Sequence, residues 1–113
     1  MEKQNILIVD DESSNISVLV EILSEKYNLL GATDGVTALE IVDSGERVDI
    51  ILLDIMMPEM DGYEVAYELK HNKKRAGIPF IFLTAKNDND SIVKGFNEGA
   101  VDYIAKPFQK EEL

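Results

Sequence analysis

Ile50-Ile51-Leu52-Leu53-Asp54-Ile55-Met56-Met57-Pro58-Glu59-Met60-Asp61-Gly62 is the stretch that decides the fold. Four apolar residues run into an aspartate, and a loop marked by Pro58 and Gly62 follows. An unbroken apolar run of this length predicts a strand buried on both faces, as in a parallel sheet. A carboxylate at its end needs a cation or hydrogen bonds, because burying it bare is costly. Two other runs repeat the pattern. Ile6-Leu7-Ile8-Val9 ends in Asp10-Asp11-Glu12, and Phe80-Ile81-Phe82-Leu83 ends in Thr84. As parallel neighbours, the three would bring Asp10, Asp11, Asp54 and Thr84 to one edge of one sheet. Open parallel sheets bind ligands at that carboxyl edge.

Around these runs the chain alternates strand and helix, which predicts a parallel sheet wrapped by helices. The first strand is expected over 5–9. Ser13 or Ser14 would cap a helix whose inner face is Ile16, Leu19, Val20 and Leu23. A weaker second strand over 29–33 contains Gly31 and reads as an edge. Asp34-Gly35 turns into a second helix with Ala38, Leu39 and Val42 inward, closed by Gly45. A third helix opens at Asp61, with Glu64 at the capping-box spacing and Val65, Ala66 and Leu69 inward. Lys70, Lys73, Lys74 and Arg75 fall where that helix ends, and its dipole favours cations there. His71 lies in the same solvated run without a second histidine or a cysteine beside it. Pro79 starts the fourth strand. A fourth helix is expected over 90–99 with Ile92, Val93 and Phe96 inward, then a fifth strand over 101–104. Placing the three apolar strands inside gives the order 2-1-3-4-5. A fifth helix would begin near Gln109, but the chain stops at Leu113. The last helix is therefore expected to be cut short, leaving apolar surface beside the first helix.

Bulk composition narrows the class. The chain has 113 residues, 45% of them hydrophobic, which suits one compact domain over 1–113. Twenty-two acidic residues against 11 basic give a formal charge of −11, the wrong sign for a nucleic-acid-binding surface. With no cysteine there is no disulfide, thiolate metal site or thiol nucleophile. No signal-peptide pattern and no apolar stretch of membrane-spanning length is present, so the expected location is the cytoplasm.

Three carboxylates at one edge repel each other unless they share a cation. Mg²⁺ takes one or two carboxylates together with waters and phosphate oxygens. That suits Asp11 and Asp54 as ligands, with Asp10 holding a bound water. Thr84 adds a hydroxyl, and Lys106, just past the fifth strand, an ammonium. Together these groups suit a phosphoryl group with an aspartate oxygen as nucleophile.

Asp10-Asp11, Asp54 with Pro58 and Asp61-Gly62, Thr84-Ala85 and Lys106-Pro107 together resemble the receiver domain of two-component response regulators, of flavodoxin-like (βα)5 fold. The resemblance runs from the first strand through Lys106-Pro107. It implies that Asp54 accepts a phosphoryl group from phosphohistidine on a sensor histidine kinase or a histidine phosphotransfer protein. Mg²⁺ would be bound by Asp11, Asp54 and the backbone carbonyl of Met56, with Asp10 assisting. Thr84 and Lys106 would hold the phosphoryl oxygens, Thr84 and Tyr103 would form the switch, and Lys106-Pro107 would be cis. Output would pass through the surface of the fourth helix and fifth strand, to an attached domain or a separate target, with a homodimer left open. Self-dephosphorylation would be the only chemistry, and neither nucleic acid nor membrane a direct partner. Met56 and Lys86 lie two residues after Asp54 and Thr84, where they would slow loss of the phosphoryl group. On this reading the domain is the N-terminal receiver of a longer protein, or a shortened one. Two alternatives stay open on the residues alone. An aspartate-nucleophile phosphatase of the haloacid-dehalogenase type would want a second Asp where Met56 stands. A flavodoxin-like FMN-binding module would want a phosphate loop rich in Ser, Thr and Gly where Asp10-Asp11-Glu12 stands.

Overall fold

The computed structural model describes residues 3–71, 77–85 and 102–106, the side chains of 84–85 and 102–106 excepted. The elements are β1 (Gln4–Val9), α1 (Ser13–Leu23), β2 (Tyr27–Ala32), α2 (Gly35–Asp43), β3 (Ile50–Asp54), α3 (Gly62–Lys70), β4 (Phe80–Ala85) and β5 (Asp102–Lys106). The strands form one parallel sheet in the order β2-β1-β3-β4-β5. The doubly wound order expected from the apolar runs is therefore the one found. Residues expected to form the fourth and fifth helices, with Lys73, Lys74, Arg75, Lys86 and Pro107, lie outside the described residues.

Alternation along each central strand feeds two cores, because successive side chains point to opposite faces. Leu7 and Val9 of β1, Ile51 and Leu53 of β3, and Phe80 and Phe82 of β4 pack with Ala38 of α2 and Val65, Ala66 and Leu69 of α3. Ile6, Ile8, Leu52 and Leu83 face the other way and meet Leu19 and Leu23 of α1. Each fully buried Leu, Ile or Phe contributes about 1.5–3 kcal/mol. A one-residue slip in any central strand would therefore exchange two filled faces.

Two of the three helix N-caps follow the local chemistry. Asp34 caps α2 by accepting from the Thr37 amide at 2.7 Å, and that bond holds its carboxyl below the usual carboxylate range. Asp61 caps α3 by accepting from the Glu64 amide at 2.9 Å. Gly45, just beyond the α2 C-cap Ser44, has φ 91°, the left-handed conformation that glycine adopts freely. The expected α1 cap is corrected. Its N-cap is Glu12, with no side-chain capping bond, and Ser13 is already helical. Val20 is corrected too: it is exposed, and Ile22 packs against the inner cluster instead. β2 begins at Tyr27 rather than 29, in register with Gln4, and ends at Ala32 rather than 33. β5 spans 102–106 rather than 101–104, so Lys106 is its last residue instead of following it. His71 is exposed as expected, stacked on the Tyr67 ring at 4.0 Å between centroids.

Candidate functional site

The sheet ends its central strands at one level. Val9 pairs with Leu53, and Asp54 pairs with Leu83. The ladders outlast the strands by one bond on either side, since the Asp10 amide donates to Ala32 O at 3.1 Å and the Ile55 amide to Leu83 O at 3.3 Å. These bonds carry Asp10 and Asp54 out of the core in fixed backbone conformations. Both residues are nearly inaccessible, at 0% and 2% exposure, whereas Asp11 is exposed.

Carboxylate oxygens of Asp10, Asp11 and Asp54 all lie within 4.8 Å of one another. At an effective dielectric constant near 20, each ionised pair repels by roughly 3 kcal/mol. A hard divalent cation turns that cost into ligation, and three oxygen donors from two strand ends suit Mg²⁺. The donor set therefore fits the ion expected from the sequence. Local bonds hold the carboxylates in place. Asp10 Oδ1 accepts from the Glu12 amide at 2.9 Å, and Asp54 Oδ1 lies 3.4 Å from the Met56 amide nitrogen that donates to it.

The loop after Asp54 alternates as though the strand continued. Ile55 and Met57 are buried in the larger core, and Met56 between them is 70% exposed. Glu59 takes φ 65°, and the Gly62 amide donates to Ile55 O at 2.9 Å, closing the loop on itself. Gly62 lies so close to the strand that a Cβ there would collide with the Asp54 carbonyl oxygen and stand 2.8 Å from Ile55 Cα. The sequence marks Gly62 as a loop residue and as part of the Asp61-Gly62 motif, but not this contact. The Asp-Gly pair opening a helix was the available signal.

Backbone register places the remaining expected residues at or below the same edge. Thr84 pairs with Ala105 and follows Leu83, the partner of Asp54. Lys106 pairs with Ala85 and so ends β5 at that edge, and Tyr103 lies lower, opposite Phe82. The structure thus brings together the three aspartates as side chains, and Thr84 and Lys106 as backbone positions. Among the described residues no helix is long and apolar enough to cross a membrane.

Comparison with known proteins agrees with this arrangement. Residues 6–113 match the response regulator receiver domain family. A probable cyclic di-GMP phosphodiesterase of Vibrio cholerae is 47% identical over 102 residues, covering 90% of this chain and 23% of that protein. The DNA-binding response regulator MtrA of Mycobacterium leprae is 40% identical over 112 residues, 98% of this chain and 48% of MtrA. The chain thus spans about a quarter to a half of these curated relatives. Among solved structures, the receiver domain of the Pseudomonas aeruginosa sensor histidine kinase PA1611 superposes with a TM-score of 0.86. It is 31% identical, the match covers 98% of this chain and 91% of that one, and a magnesium ion is coordinated in its active site cleft. Neither the phosphatase nor the FMN-binding alternative draws support from these relatives. Since the match takes in all but the first five residues, the chain belongs to the response regulator receiver domain family, the phosphoacceptor domains of two-component signalling.

Proposed function

We propose that Asp54 is the phosphoacceptor, and that Asp10 and Asp11 complete a Mg²⁺ site around it. The observation that carries this reading is the meeting of the three carboxylates within 4.8 Å at the carboxyl edge. An Asp54 oxygen attacks the phosphorus of phosphohistidine, the phosphorus–nitrogen bond breaks, and the electron pair leaves with the imidazole. Asp11, Asp54 and the Met56 carbonyl would hold Mg²⁺ directly, with Asp10 behind them. When bound, the ion supplies neutralisation of charge on the phosphoryl oxygens. Thr84 and Lys106 bind those oxygens, one as a hydroxyl donor and one as an ammonium. A cation shared by the three carboxylates offsets their mutual repulsion, which couples phosphorylation to the ion.

A sensor histidine kinase or a histidine phosphotransfer protein is the donor in this reading, and the only chemistry on the domain is gain and loss of its own phosphoryl group. Thr84 and Tyr103 form the switch, and output leaves through the fourth helix and β5. The two curated relatives carry different names, a phosphodiesterase and a DNA-binding regulator, over lengths at least twice that of the matched segment. Output is accordingly assigned to attached chain or to a separate target, rather than to this acidic domain, in a cytoplasmic protein. The test is incubation with acetyl phosphate and Mg²⁺ followed by intact mass. Wild type gains one PO₃ unit, and Asp54→Asn or added EDTA prevents it. An equal gain by Asp54→Asn would overturn the assignment.

A further inference from the structure

We infer that Gly62 is a positioning residue for Asp54, acting through the Ile55–Met56 peptide. The inference rests on the phosphoacceptor reading above and adds to it a residue that touches neither the phosphoryl group nor the ion. A trans peptide is planar, so its C=O and N–H point in opposite directions. The Gly62 amide holds the Ile55 carbonyl from the α3 side at 2.9 Å. The other end of the same peptide, the Met56 amide, is thereby turned toward Asp54 Oδ1, 3.4 Å away. Three groups are bonded in series: the first amide of α3, one peptide plane and the Asp54 carboxylate.

Only glycine permits this approach. A Cβ at position 62 would meet the Asp54 carbonyl oxygen, Ile55 Cα at 2.8 Å and the Asp54 carbonyl carbon at 3.0 Å. All three are backbone atoms, two of Asp54, which pairs with Leu83 at the end of β3, and one of Ile55, whose amide donates to Leu83 O, so no flexible side chain can yield to make room. By contrast, a Cβ at Gly35 would press on Val65 Cγ2 and the end of Met60. Asp61 holds the other side of the arrangement by anchoring the first turn of α3 through the Glu64 amide. Any residue larger than glycine at 62 must move that turn away, release the Ile55 carbonyl and let the Ile55–Met56 peptide rotate. Asp54 then loses a donor, and the Met56 carbonyl on the next peptide changes direction.

Isothermal titration of the intact chain with Mg²⁺, without any phosphodonor, tests this. Gly62→Ala should weaken Mg²⁺ binding about ten- to a hundredfold, the range typical of groups that orient metal ligands from outside the first shell. The Met56 amide resonance should shift in the same variant. Leu69→Ala serves as the control, since it opens the core at the far end of the same helix. It should lower the thermal midpoint while leaving the Mg²⁺ affinity at the wild-type value. Asp61→Ala should weaken binding several-fold in the absence of any clash, and Asp61→Asn, which keeps an acceptor for the Glu64 amide, should restore it. These last two variants decide the matter if Gly62→Ala does not fold. Wild-type affinity in Gly62→Ala, or equal weakening by Asp61→Ala and Asp61→Asn, overturns the inference. Failure of wild type itself to bind Mg²⁺ sinks the phosphoacceptor reading instead, and the two failures are distinguishable.

Discussion

The two edges of the sheet use the same residue type to opposite ends. At the amino edge, Asp49 stands alone among donors. Its Oδ2 accepts from the Asn5 amide at 2.7 Å, its Oδ1 lies 3.3 Å from Arg47 Nε, and its own amide donates back to Asn5 O at 2.9 Å. Asn5 extends the arrangement by donating to Arg47 O and accepting from Asn28 of β2. Asp49 and Asn5 together thereby tie β1, β2 and the approach to β3. At the carboxyl edge, three carboxylates are drawn to within 4.8 Å of each other. The aspartate that ties strands together faces donors, whereas those of the proposed cation site, besides their amide donors, face one another. The difference separates structural from functional carboxylates by their neighbours.

Removing the charge of the proposed acceptor is the sharpest way to break this contrast. Asp54→Asn should abolish phosphorylation by acetyl phosphate and, without Mg²⁺, raise stability by about 2 kcal/mol through relief of like-charge repulsion. Urea unfolding in EDTA reads the second effect, and a destabilised variant would show that the corner is not held against repulsion. Next in size is the response to the ion. Mg²⁺ should raise the thermal midpoint of wild type in a concentration-dependent way. Asp11→Asn should lose that response, whereas Asp49→Asn should start from a lower midpoint and keep it.

Acid separates the edges more gently. The Asn5 amide, with help from Arg47, holds the Asp49 carboxyl below the usual carboxylate range. A carboxyl depressed in the folded state binds its proton more readily when unfolded. Its contribution to stability is therefore present above the unfolded value, about 3.9, and is lost as pH falls through the lower folded value. Asp49→Asn should show a smaller loss of stability over that acidic range than wild type, and an unchanged pH profile would contradict the assignment. The smallest expected change is kinetic. Met56 is exposed two residues after Asp54, and its apolar side chain is proposed to hinder water attacking the acyl phosphate. Met56→Asn should shorten the phosphoryl lifetime several-fold, measured by loss of the added mass over time. An equal or longer lifetime would reject that role.

Much of this is legible in the sequence alone. Continuous apolar runs cannot sit in a half-solvated sheet, so Ile6–Val9, Ile50–Leu53 and Phe80–Leu83 had to be central and parallel, and the aspartates after them had to meet. The cap at Asp61 was legible because a short acceptor before a helix bonds its own chain, and Asp34, read there only as part of a turn, turned out to do the same. What escaped depends on contacts distant in sequence. β2 starts at Tyr27 because Gln4 lies beside it, not because Asn28 favours a strand. β5 runs on to Lys106 because β4 continues to Ala85. Ser13 was a reasonable cap for α1, but the turn from Asp10 begins the helix one residue earlier, with the Glu12 amide bonded to the Asp10 carboxylate. The collision awaiting a side chain at Gly62 is a distance between elements, and local pattern carries only its hint.

The alternation of Ile55, Met56 and Met57 has a consequence for how such a domain diversifies. Inward neighbours on either side anchor the loop, so position 56 can exchange one outward side chain for another with no core atom disturbed. On the role proposed for Met56, a timer whose setting sits on the outside of a sealed case could be reset by single substitutions, leaving foldability and signal duration free to vary independently.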